Sequence, residues 1–144
     1  MYAIENVAQA LSDSASFPNL SYTPIGTTGN IFINNQPTSE SIARCLTLYE
    51  TPVGQFDITF DKPSAYKDEG IKIIYRGTKN DMINCYHDAK EIYDWLSDKI
   101  NWGAFGSTER PVFKVTPKGM ASMGNDDNQY PEYVMKFVIK IIVT

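Results

Sequence analysis

The chain has 144 residues, 42% hydrophobic and 21% charged, with 17 acidic against 13 basic side chains and a formal net charge of −4. Those values fit one globular domain large enough to fold on its own core, and they exclude wholesale disorder. An acidic balance argues against nucleic-acid backbone binding as the main task, since such proteins carry a basic stripe, although a local basic face stays open.

The opening stretch MYAIENVAQALSDSA lacks a basic start and a continuous apolar run, so it does not read as a secretory signal. Residues 2–15 instead predict an amphipathic helix, with Ile4, Val7, Ala8 and Leu11 on one face and Phe17-Pro18-Asn19 as its stop. From 20 to 41 the chain is rich in Gly, Asn, Thr and Pro around one short strand, Ile31-Phe32-Ile33. Residues 41–50 alternate as a strand, with Leu46 and Leu48 on one face and Cys45, Thr47 and Tyr49 on the other. Residues 51–69 read as a long loop around Phe56-Asp57-Ile58-Thr59-Phe60, and a loop of that length in a small domain is usually functional or mobile. A strand over 70–76 follows, with Ile71, Ile73 and Tyr75 on one face.

The strongest periodicity is a helix over 79–100. Met82, Cys85, Tyr86, Ala89, Ile92, Tyr93, Leu96 and Ile100 form its apolar stripe, and His87, Asp88, Glu91, Asp94 and Asp98 lie opposite. A loop at 101–109, a strand over 110–118, a polar turn over 119–129 and a strand over 133–143 complete the chain. The last strand puts Tyr133, Met135, Phe137, Ile139, Ile141 and Val143 on a core face, and Val134, Lys136, Val138, Lys140 and Ile142 on a mixed face. The expected order is α-β-β-β-α-β-β: a single α+β domain over 1–144, a mostly antiparallel β-sheet with two helices packed on one face. The other sheet face is left without a helix. No apolar run approaches the ~20 residues of a membrane span.

Catalytic signatures are hard to find. The single histidine, His87, falls on the polar face of the long helix, where a general base would lack an orienting partner. Gly26-Thr27-Thr28-Gly29 lacks the Lys-Ser/Thr and the helix that would receive phosphate. Asp57 and Asp61 share a loop, and Asp68-Glu69 precede Lys72, but the spacing of a metal-dependent nuclease is absent. Asp126-Asp127 lacks calcium-loop spacing. Cys45 and Cys85 sit inside regular segments and read as buried free thiols. No catalytic, cofactor or metal residue is therefore expected. The loop aromatics Tyr22, Tyr66, Trp102, Phe105 and Tyr130 suit either protein contacts or anchoring on the domain.

The segment Gly70-Ile71-Lys72-Ile73-Ile74-Tyr75-Arg76-Gly77, followed by Asp88-Ala89-Lys90-Glu91-Ile92-Tyr93-Asp94-Trp95-Leu96, resembles the tail terminator or minor capsid proteins of long-tailed, siphovirus-type bacteriophages. Those proteins carry a strand ending in arginine and then a helix ending in Ile-Tyr-x-x-Leu. The start of the chain, a short helix followed by Phe17-Pro18-Asn19-Leu20 and Tyr22, is similar to theirs. The resemblance covers nearly the whole chain in segment order. It implies a ring, typically a hexamer, that caps the head-proximal end of the tail tube and joins tail to head. The implied partners are further copies of the chain, the major tail tube protein and a head-completion or neck protein, with DNA passing through the lumen unrecognised. The implied place is the virion tail or neck, after assembly in the host bacterial cytoplasm. Candidate interface residues are Phe56, Asp57, Phe60 and Asp61 on the 51–69 segment, and Val134, Lys136, Val138 and Lys140 on the last strand. Competing readings are a neck or head-completion protein, a metal-dependent enzyme using the loop carboxylates, and a protein-binding module that does not self-assemble.

Overall fold

The computed structural model of the chain describes residues 3–23, 29–35, 44–51, 56–59, 62–103 and 112–142. Helix α1 (Ala3–Asp13) buries Ile4, Val7, Ala8 and Leu11, the face expected from their spacing. Strands β1 (Ile31–Ile33), β2 (Cys45–Thr51), β3 (Phe56–Thr59) and β4 (Lys62–Arg76) follow, then helix α2 (Met82–Ser97) and strands β5 (Ile100–Gly103), β6 (Val112–Asn125) and β7 (Pro131–Ile142). One sheet runs β1-β2-β4-β7-β6-β5, with β3 paired to β4 beyond the end of β2. Among the described residues, β1 and β2 pair in parallel and the other pairs are antiparallel.

The fold is α+β, with both helices on one face of the sheet. A single apolar cluster joins α1 and α2 to Leu46, Leu48, Ile71, Ile73, Tyr75, Met135, Phe137, Ile139 and Ile141. These sheet residues fall on one side because cross-strand partners share a face: Leu48 opposes Ile73, and Ile73 opposes Met135. From α2 the cluster takes Cys85, Ala89, Ile92 and Leu96. The rest of the expected stripe is looser, and Tyr86 is 40% exposed, leaning on Tyr133 with ring centroids 5.8 Å apart. Phe17 meets Trp95 edge-on at 5.5 Å, tying the segment after α1 to α2.

The expected order needs two more strands. The segment read as a loop over 51–69 holds β3 and the first half of β4, which starts at Lys62 rather than Gly70. The loop expected over 101–109 begins with β5, and the turn expected over 119–129 shrinks to the tip after Asn125 because β6 continues through it. There, Asp126 Oδ1 accepts the backbone N–H groups of Asn128 and Tyr130, each at 2.9 Å. The long helix is also shorter than its pattern. Asp81 caps its start, accepting the Asn84 backbone N–H on Oδ1 at 3.2 Å and the Asn84 side-chain amide on Oδ2 at 2.6 Å.

Candidate functional site

Among the described residues, the sheet face turned away from the helices and a cleft on the helix side both carry polar chemistry. The first is built by alternation. Thr47, Ile74, Val134 and Ala121 form one row across β2, β4, β7 and β6, and Tyr49, Lys72, Lys136 and Gly119 form the next. Beyond them Val138 aligns with Gly70 and Thr116, and Lys140 with Asp68 and Lys114. The apolar cluster under the helices includes neither Cys45 nor Ile74, consistent with their place on this second face.

The face is not uniform. Toward β2, Cys45, Thr47, Ile74 and Arg76 are buried, and the Arg76 guanidinium lies 5.7 Å from the Tyr130 ring centre. Toward β7 and β6, Val134, Val138 and Lys140 are half-buried, while Lys114 and Lys136 are exposed. Lys140 Nζ lies 3.1 Å from Asp68 Oδ1, and Lys72 Nζ lies 5.0 Å from the Tyr49 ring centre.

The candidate residues of the last strand thus share one surface: Val134, Lys136, Val138 and Lys140 are all on β7, on the face away from the core. Phe56 and Asp57 lie on β3, opposite Lys67 and Tyr66, in a hairpin rather than in the expected loop. Phe60 and Asp61 lie outside the described residues. Of the loop aromatics, Tyr22 packs half-buried against the core, with its N–H donated to Ser12 Oγ at 2.9 Å, and Tyr130 covers Arg76. Lys72 and Lys114 were missed as members of the surface. Only the strand register brings them beside Lys136 and Lys140.

The cleft lies between the 16–20 segment, Asn30 and α2, with Arg44, Tyr75, Asp88, Glu91 and Ile92 in its lining. Its rim is fixed by Asn30, whose Nδ2 donates to the Asn19 carbonyl at 2.6 Å and whose Oδ1 accepts the Ser21 N–H at 2.9 Å. Tyr75 donates its hydroxyl to Asp88 Oδ2 at 2.8 Å, and burial followed by that bond pushes its pKa far up, so the phenol stays protonated. Arg44 Nε donates to Thr78 Oγ1 at 3.1 Å. The cavity is about 120 Å³. Small-molecule sites usually enclose roughly 300–1,000 Å³, so this notch has room for a side chain and little more.

Among the described residues, no group of three or more His, Cys, Asp and Glu side chains is placed to hold a metal ion, and no helix is long and apolar enough to cross a membrane. His87 is exposed on α2, and Cys45 and Cys85 are buried free thiols. Of the two places, the sheet face holds the candidate residues Val134, Lys136, Val138 and Lys140, and the cleft holds none of them. Compared with family models and with curated proteins, the chain matches none.

Proposed function

We propose that the chain is a structural subunit that assembles with copies of itself into a ring of the phage tail-terminator kind. The observation that carries this reading is the sheet face on which neither helix packs, where Val134 and Val138 alternate with Lys136 and Lys140. A face with exposed lysine and half-buried valine suits a partner surface better than open water. The segment resemblance, from the arginine-ended strand to the Ile92-Tyr93 helix end, supplies the specific assembly. In that role the ring stops growth of the tail tube and presents a surface to a neck or head-completion protein. A contact that joins two different patches on successive copies either closes into a ring or runs on as a filament.

The test is negative-stain microscopy and sedimentation of the purified chain, alone and with tail tubes. Rings of uniform diameter and tubes capped at one end are expected. A monodisperse monomer at high concentration, with bare tube ends, refutes the reading. Binding to portal or head in place of tube ends would move the chain to the neck. The carboxylate reading has its own measurement: loss of a metal-dependent activity in Asp57→Ala and Asp61→Ala would reinstate an enzyme.

A further inference from the structure

The net charge of −4 conceals a separation of charge between the two layers. On the helix side, α1 carries Glu5 and Asp13 with no basic residue, and α2 with its caps carries Asp81, Asp88, Glu91, Asp94 and Asp98 against Lys90. Glu91, Asp94 and Asp98 are exposed, Asp94 with Lys90 Nζ at 2.9 Å, and toward the start of the helix Ile83 is 73% exposed. The open sheet face has the opposite sign.

There, two cross-strand neighbours are lysine on lysine. Lys72 stands directly opposite Lys136, and Lys140 directly opposite Lys114. Like charges in that position cost stability, which a sheet tolerates more easily when an anionic partner screens them. Asp68 offsets Lys140 and the Tyr49 ring attracts Lys72, whereas Lys114 and Lys136 have no acidic partner among the described residues.

We propose that the lysine face of one copy docks on the exposed Glu91/Asp94/Asp98 side of α2 of the next copy, with Val134, beyond Lys136 on β7, on the side of the exposed Ile83. The two lysine pairs lie four residues apart along β7, or about 13 Å. Glu91 and Asp98 lie seven residues apart on the helix, or about 10 Å, within reach of lysine side chains. The contact is head-to-tail, because the two patches differ. This inference rests on the self-assembly reading and names the surfaces that would serve it.

Three proteins test it: the wild type, a sheet variant Lys114→Glu/Lys136→Glu, and a helix variant Glu91→Lys/Asp98→Lys, all full-length and checked for native circular dichroism and melting. Each variant alone is expected to self-associate at least tenfold more weakly than the wild type by sedimentation. An equimolar mixture is expected to recover assembly, since alternating copies then meet opposite charge at every contact. If the variants assemble as the wild type does, these surfaces are wrong while the ring reading stands. If folded variants lose assembly and the mixture fails to recover it, the lysine face recognises something other than α2. If the wild type stays monomeric and its lysine face retards duplex DNA in a gel, both this inference and the ring reading fall, and nucleic acid is the occupant.

Discussion

Gly77, between β4 and α2, shows how little room the core leaves. A Cβ placed there would come within 2.7 Å of Cys85 Cβ, so the chain turns from strand to helix at a residue with no side chain. The same crowding governs the thiol. Burial first of all pushes Cys85 up from 9.0 to about 12 and Cys45 up to about 11. The folded state therefore holds protons that the unfolded state gives up. The stability tied to them is intact below pH 9 and is lost as pH rises toward 12, and the raised Tyr75 acts in the same direction. The melting midpoint is expected to fall across that window, and a Cys45→Ala/Cys85→Ala variant to show a shallower fall. A flat or rising midpoint in the wild type would contradict the assignment. At neutral pH neither thiol should react with a disulfide reagent until the protein unfolds.

At the scale of single elements, β4 and β7 together test sidedness. Ile73 is fully buried under the helices, and truncating it to Ala should cost about 2–5 kcal/mol in urea unfolding. Val134 lies on the other face and is half-buried, so Val134→Ala should cost about 1 kcal/mol or less in the isolated subunit. Equal losses would mean that the second face is packed as a core. This sidedness was legible in the sequence, because Ile71, Ile73 and Tyr75, and the odd-numbered run of β7, recur at every second residue over a buried layer, although Ile74 and Arg76 are buried on the other face. The first half of β4 was not legible. Residues 62–69 read Lys-Pro-Ser-Ala-Tyr-Lys-Asp-Glu, and their pairing with β3 gives no apolar alternation. The far half of β6 hid for another reason. Register shifts between Val112 and Lys114, Pro117 and Gly119, and Ser122 and Gly124 break the period of two. The candidate surface was half legible in the same way. Val134, Lys136, Val138 and Lys140 follow from local alternation, whereas Lys72 and Lys114 join them only through pairings with distant residues. The cleft at Tyr75 and Asp88 had no local signal, since its residues come from five separate segments.

For the whole molecule, the opposed signs of the helix layer and the sheet face make salt a direct probe. The screening length shrinks from about 10 Å at 0.1 M to about 3 Å at 1 M, so self-association should weaken steeply across that range while the melting midpoint changes little. Assembly indifferent to salt would point to an apolar contact instead. The sheet order has one more consequence. β7, the last of the described strands in chain order, lies between β4 and β6, so the middle of the sheet is completed by residues 131–142. Its pairing with β4 joins residues as far apart as Asp68 and Lys140. Such remote contacts form late and slowly. On the ribosome, the surface that β7 contributes cannot exist before residue 142 has emerged. Until then β4 and β6 have no strand between them, so the two halves of the sheet stay separate for as long as the last strand is still being made.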